Sequence, residues 1–370
     1  MPMIRTDLEL SYTEAGVVMS AFAITSGISQ LPAGWLADRF GPRIMVALGV
    51  TGVAIVGLLI GLSHSYWTLI VFLVIAALLG GGYHPAAATA ISSVIPQERR
   101  GRALGLHLIG GSSSFWVVPL LAAPIAVALG WRGVYLTLSI PAIILGIVLY
   151  ILIGRQIKIR DSERQTENIE APKATGRIPW RRIVPFIIIS VTTGTMIQSA
   201  SAYLSLYAVD QLGVAEATAA MLVAVTPAVG LVAAPLGGYL SDRFGGIPVI
   251  MIVSFVAGPL IYLLGLVPNV PALVAVMIAI GFVSNTRMPT SEAYIVGNTP
   301  EHRRSTMLGL YFFAGAEIAG LMTPVMGYLL DRLGFIKSFN IISASIAAVA
   351  VVCSLFLWRN RAPAGTPGLN

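Results

Sequence analysis

Charge and cysteine are both scarce in this chain. Of its 370 residues only 11% are charged and 56% are hydrophobic, whereas a soluble globular domain carries about 25% charged residues. That deficit excludes an ordinary soluble enzyme. The one cysteine, Cys353, lies in an apolar run, so there is no disulfide framework and no Cys/His zinc spacing, and no metal site is expected. A nucleotide-driven pump would need Gly-x-x-x-x-Gly-Lys-Ser/Thr, which does not occur. The aspartates are scattered, which excludes a prenyl-type membrane transferase holding magnesium and diphosphate. The segment before Thr13 is short and mixed in charge, unlike a signal or transit peptide.

What the chain has in abundance is long apolar runs. Eleven of them are long enough to cross a hydrocarbon core of roughly 30 Å as helix. They run over Thr13–Ala37, Ile44–Leu62, Trp67–Ile91, Ala103–Leu129, Gly133–Ile153, Ile183–Tyr207, Ala217–Leu240, Ile247–Leu266, Ala272–Val296, Thr306–Leu330 and Phe339–Trp358. The runs are continuous rather than alternating, so helices are expected and not a barrel.

The net charge of +7 reads as topology once its placement is followed. Of the 23 Lys and Arg residues, 18 fall on one set of alternate loops and at the C-terminus, four on the opposite set, and one, Arg287, inside a span. By the positive-inside bias the larger group and the C-terminus are cytoplasmic. No nucleic-acid partner is needed to explain the basic balance. The expected partners are a lipid bilayer and a small molecule, with the chain monomeric in the plasma membrane of a prokaryote, the inner membrane if that cell is Gram-negative.

An internal repeat has a constant offset of 204 residues. Gly34, Leu36, Asp38, Arg39, Phe40 and Gly41 match Gly238, Leu240, Asp242, Arg243, Phe244 and Gly245. At the same offset Pro85, Arg99, Arg100, Leu104, Gly105 and Gly130 meet Pro289, Arg303, Arg304, Leu308, Gly309 and Gly334. Two homologous halves follow. The repeat partner of Ile183–Tyr207 would fall mostly before Met1, so the first half is expected to lack its first helix, with about 25 to 40 residues absent upstream. A native eleven-span chain is the alternative.

The domains expected are therefore a bundle over 1–153, a linker over 154–182, a second bundle over 183–358 and a tail over 359–370. The linker segment carries eight Lys or Arg, four acids and two prolines, the composition of a solvated cytoplasmic tether.

The stretch Gly34-Trp-Leu-Ala-Asp38-Arg39-Phe-Gly41-Pro-Arg43, with its weaker copy at Gly238 to Gly245, resembles the signature loop of the major facilitator superfamily. With the span count and the repeat, the resemblance covers essentially the whole chain. It implies an all-α integral membrane protein of two six-helix bundles related by pseudo-symmetry, here eleven helices with the first missing. It implies secondary transport by alternating access, driven by a proton or other ion gradient with no cofactor. It also implies a conformational latch, with Asp38 as acceptor and Arg39 and Arg43 as partners, and Asp242 and Arg243 as a second copy. The glycines at 34, 41 and 238 suit close backbone approach or a tight turn. Pro42 and Gly246 depart from the family, which often has a second basic residue there.

Ionisable residues inside a membrane are functional candidates by default. Arg287 and Glu317 lie 14 and 16 residues from Glu301 on adjoining spans, roughly 20 Å deep at 1.5 Å per residue. A cross-helix pair is possible there, with Arg287 taking an anionic substrate and Glu317 a proton; a buried pair with a purely structural role is the alternative. Glu292 is a proton or gate candidate on a different face. His84, after three glycines and before Pro85, is a protonatable candidate. His107 reads as interfacial. Tyr83, Trp116, Gln198, Tyr203 and Asn285 are uncharged candidates by their spans.

No enzyme activity is expected. The favoured function is proton-coupled transport of a small organic anion. Drug efflux is the alternative, although the arginine that drug–proton antiporters carry before a span-four glycine is absent around Ala77 and Leu78, and Gly110 to Pro119 matches their span-five motif only in part. A transport-inactive sensor homologue is the alternative from another class.

Overall fold

A computed structural model describes residues 2–10, 12–166, 178–222 and 224–359. Every regular element among them is helical, as expected where a chain must satisfy its own backbone in lipid. The α-helices are α1 (Pro2–Asp7), α2 (Tyr12–Phe40), α3 (Pro42–Ala47), α4 (Val53–Gly61), α5 (Tyr66–Gly80), α6 (Tyr83–Val94), α7 (Arg100–Thr166), α8 (Trp180–Ala202), α9 (Leu204–Leu212), α10 (Glu216–Leu222), α11 (Val225–Phe244), α12 (Gly246–Leu264), α13 (Val270–Gly297) and α14 (Arg304–Arg359). A π-helical turn, Leu48–Gly52, joins α3 to α4.

Where described, each of the eleven apolar runs is helical over most of its length; some cross a short turn, as at Gly81-Gly82 and Tyr203, or pass a helix end, as at Leu62 and Leu266. Two runs share α7 and two share α14, because each helix is broken at a glycine with positive φ, Gly130 at 70° and Gly334 at 75°. The turns after α2 and α11 use Gly41 (φ 90°) and Gly245 (φ 85°). Both pairs are repeat partners, and a left-handed backbone at these positions favours glycine over any residue with a Cβ. Among the described residues, seven stretches are long and apolar enough by themselves to cross a membrane. Neither α2 nor α11 is among them; serine, glycine and alanine dilute their apolar content.

The described residues pack as two compact units. One comprises Met1–Pro96, Ser114–Gly176 and Thr299–Ala314; the other comprises Gln97–Ser113, Arg177–Asn298 and Gly315–Asn370. Each unit therefore contains a short piece from the other half of the sequence. The first has cores around Leu69, Ile60 and Trp131 and around Ala37, Met45 and Ala86. The second is centred on Phe186, Ile250, Leu273 and Phe339.

One boundary differs from the sequence expectation. Helix α7 continues to Thr166, into the segment read as linker, since its residues after Ile153 include no proline and few glycines to end a helix. Residues 167–177 and 360–370, the rest of the linker and nearly all of the tail, lie outside the described residues, as does the Trp116 side chain.

Candidate functional site

The signature loop is built around an aspartate that caps a helix. Asp38, in the last turn of α2, accepts the backbone N–H groups of Ser305 (2.9 Å) and Thr306 (2.7 Å) and the Thr306 hydroxyl (2.5 Å). These residues open α14, where free N–H groups and the helix dipole favour an anion. The approach needs Gly34: a Cβ there would collide with the Ser305 carbonyl and stand 3.2 Å from the Gly309 Cα. Ser305 also donates to Thr89 Oγ1 at 3.0 Å.

The second copy repeats the design in the other unit. Asp242, near the end of α11, accepts the N–H groups of Gly101 (2.7 Å) and Arg102 (2.9 Å) at the start of α7. Its closest cation is Arg102, with Nε at 3.8 Å. Burial raises the Asp242 carboxyl above its ordinary range, and neighbouring Glu98 adds to that, against the two N–H bonds and Arg102.

The loop arginines are engaged elsewhere. Arg39 lies over Trp35 and Phe40, with its Cζ 5.4 and 5.8 Å from the ring centres. Arg43 donates to the Tyr150 carbonyl at 2.8 Å and stacks on that ring at 3.7 Å. Arg243 donates to the Tyr239 hydroxyl at 3.0 Å. Asp38 is thus held by a helix N-terminus rather than by Arg39 or Arg43. The sequence reading missed Ser305, Thr306 and Gly101, although Gly101 and Arg102 are the repeat partners of Ser305 and Thr306.

The intramembrane charge has a built seat. Arg287 of α13 donates through Nη1 to the Ser190 carbonyl (3.2 Å) and hydroxyl (3.1 Å) of α8. One turn on, Gly194 leaves room for the guanidinium; a Cβ there would stand 2.8 Å from Nε. Ser291 completes the support: its hydroxyl is 2.7 Å from that of Ser190 and donates to the Arg287 carbonyl at 2.8 Å. Glu292 is 2% exposed and within electrostatic reach of Arg287.

The other candidates are more dispersed. Glu317 is half-buried on α14, and among the described residues it forms no ion pair with Arg287. Helix α13 supplies the nearer acid itself, because Glu292 is only five residues along. His84 is exposed, with its ring 5.4 Å from Tyr83 and 5.8 Å from Phe312. Tyr83 packs against Gly49. Gln198 is exposed on α8, and Tyr203, between α8 and α9, donates to the Thr323 carbonyl at 3.0 Å. His107 is half-buried on α7. Asn285 donates to the carbonyls of Thr226 (3.2 Å) and Gly281 (2.8 Å). No cluster of metal-ligating side chains occurs among the described residues.

A family profile described as Major Facilitator Superfamily matches residues 1–316 and 208–369. The chain belongs to the major facilitator superfamily. It is similar to the multidrug resistance protein MdtG of Salmonella typhimurium, at 25% identity over 350 residues covering 94% of this chain and 85% of the relative. It is also similar to the probable sulfoacetate transporter SauU of Cupriavidus necator, at 28% identity over 393 residues covering 96% of this chain and 87% of that one. Among solved structures, the E. coli fucose:proton symporter FucP shares the fold with a TM-score of 0.74 at 17% identity, covering 96% of this chain and 93% of that chain. The protein is a multi-pass membrane transporter with the superfamily's fold, and not an enzyme.

Proposed function

We propose that this superfamily member is a secondary transporter that couples a small organic anion to the proton gradient by alternating access. The observation that carries the reading is Arg287, an intramembrane guanidinium held by neutral groups of Ser190 and backed by Gly194. A cation kept in an apolar region at such cost is expected to meet an anion in the transport cycle. Guanidinium suits a carboxylate or sulfonate because its N–H groups match two oxygens at once.

Glu292 is the proton site in this reading. It is an acid on the same helix within reach of Arg287, which places it to carry the proton that accompanies an anion held by the guanidinium. Glu317 is the second choice. The Asp38 and Asp242 contacts act as latches that open and close with the cycle. The arginine-rich loops face the cytoplasm, and the membrane is the plasma membrane of a prokaryote.

The test is transport in proteoliposomes with an imposed pH gradient, using a panel of carboxylates, sulfonates and cationic drugs. An anion should accumulate, Arg287→Ala should abolish its binding, and Glu292→Gln should retain exchange while losing proton-driven accumulation. Extrusion of cations with both variants fully active would instead support drug export. Absence of flux for the whole panel would favour the sensor reading.

A further inference from the structure

The end of α2 carries a cation that the protein leaves unspent. Arg39 is exposed and lies over the exposed rings of Trp35 and Phe40, and among the described residues it makes no hydrogen bond and no ion pair. The adjoining Asp38 carboxylate is committed to the start of α14. Below Arg39 the same face of α2 is apolar. Ile28 and Trp35 are exposed and precede it by 11 and 4 residues, spacings that return to one side of a helix. Eleven residues rise roughly 16 Å, about half of a hydrocarbon core of roughly 30 Å. An acyl chain lying along this stripe therefore ends at the guanidinium.

The repeat builds the arrangement again in the other unit. On α11, exposed Val232 and Leu236 lead through Tyr239 to exposed Arg243 and Phe244. Arg243 donates to the Tyr239 hydroxyl and lies 5.4 Å over Phe244, while Arg102 lies over the Tyr239 ring. Asp242 is committed to the N–H groups of Gly101 and Arg102. Two other arginines mark the difference. Arg155 ends an exposed stripe of Ile144, Val148 and Ile151 on α7, yet among the described residues no ring holds it. Arg332 lies over Tyr328, but beside it the exposed Asp331 has no hydrogen bond among the described residues, so its charge opposes an anion there.

We infer that Trp35, Arg39 and Phe40, and likewise Tyr239, Arg243 and Phe244, form two sites that retain an anionic phospholipid, its phosphate on the guanidinium and an acyl chain on the stripe below. The rings hold the guanidinium at headgroup depth, where interfacial aromatics sit. Its N–H groups match two phosphate oxygens at once. A zwitterionic headgroup brings an ammonium as well, and both nearby aspartates are already engaged. Phosphatidylglycerol brings no such cation. The inference does not depend on which solute is carried.

The experiment titrates the purified chain in detergent with phosphatidylglycerol, phosphatidylethanolamine or phosphatidylcholine and counts retained lipids by native mass spectrometry. Two phosphatidylglycerols should survive a collision energy that strips the other two lipids. Arg39→Gln and Arg243→Gln should each retain one and the double variant none, whereas Arg155→Gln should keep both. Trp35→Ala should weaken one site about threefold, the scale of an exposed cation–ring contact. Melting temperature in lipid-free detergent checks folding; if Arg39→Gln melts early, Arg39→Lys, which keeps the charge without the fork, should still weaken retention about fivefold. Equal retention of all three lipids, equal loss in Arg155→Gln and Arg39→Gln, or no lipid retained by the wild type overturns the sites.

Discussion

Asp38 and Asp242 stand one repeat apart, and so do the backbone groups they cap: Ser305 and Thr306 for the first, Gly101 and Arg102 for the second. Each aspartate therefore binds the helix start that is the repeat partner of the one bound by the other. The two contacts are alike in backbone geometry and differ in side chain. Thr306 adds a hydroxyl bond to Asp38, whereas Arg102 adds only a distant charge to Asp242 and lies over the Tyr239 ring, its Cζ 4.9 Å from the centre.

That difference predicts unequal consequences. Asp38→Asn loses a carboxylate that accepts three bonds and should lower stability by on the order of 3 kcal/mol, the range for bonds to charged groups. Asp242→Asn should cost less. Thermal unfolding in detergent reads both, and equal losses would argue against the hydroxyl as the distinguishing group.

Two carboxylates outside the spans should respond to pH with opposite sign. Burial raises Asp242, so its folded form binds a proton more readily than its unfolded form; its contribution is full below the unfolded value and is lost as pH rises through the raised folded one. Asp7 is lowered first by its hydrogen bond from Arg132 at 2.5 Å. Its contribution is present above the unfolded value and lost as pH falls through the folded one. On acidification from pH 7 to 4 the melting temperature of wild type relative to Asp242→Asn should rise, and on further acidification below pH 4 that relative to Asp7→Asn should fall.

Glycine substitutions should separate by contact. At Gly34 a Cβ meets backbone atoms of Ser305 and Gly309, and at Gly238 those of Gly101 and Arg102, none of which can turn aside as a side chain would. Alanine at either should cost about 1 to 3 kcal/mol. At Gly110 and Gly315 a Cβ meets nothing within 4 Å, and alanine should stabilise by a few tenths to about 1 kcal/mol through helix propensity. Melting curves of the four variants give the comparison.

The seat of Arg287 makes a prediction about affinity. Ser190→Ala removes one of its neutral partners and should weaken anion binding about fivefold, near 1 kcal/mol. Arg287→Lys keeps the charge but loses the planar fork and should weaken it further. Titration of the favoured anion into each variant reads the order; a lysine variant as good as wild type would show that charge alone suffices.

The crossings were legible in the sequence because each needs about 20 apolar residues and each must be a helix in lipid. The repeat was legible because glycines at 41, 130, 245 and 334 mark turns that require a positive φ. Arg287 stood out for the same reason that any charge does in an apolar run. Its partners did not. Ser190, Gly194 and Ser291 are small residues of a kind that recurs throughout the spans, and helical spacing alone does not tell which face meets which neighbour.

The sequence by itself determined the all-helical crossings, the two related halves and the family, since hydropathy and turn chemistry act along the chain and need no partner. Packing between helices decided the rest. It gave Asp38 a helix N-terminus in place of its adjoining arginines, brought Glu292 rather than Glu317 within reach of Arg287, and seated the Arg287 guanidinium on Ser190 beside Gly194. These are contacts between residues distant along the chain or on opposite turns of one helix, where rotation and close approach set the distance and spacing in sequence does not.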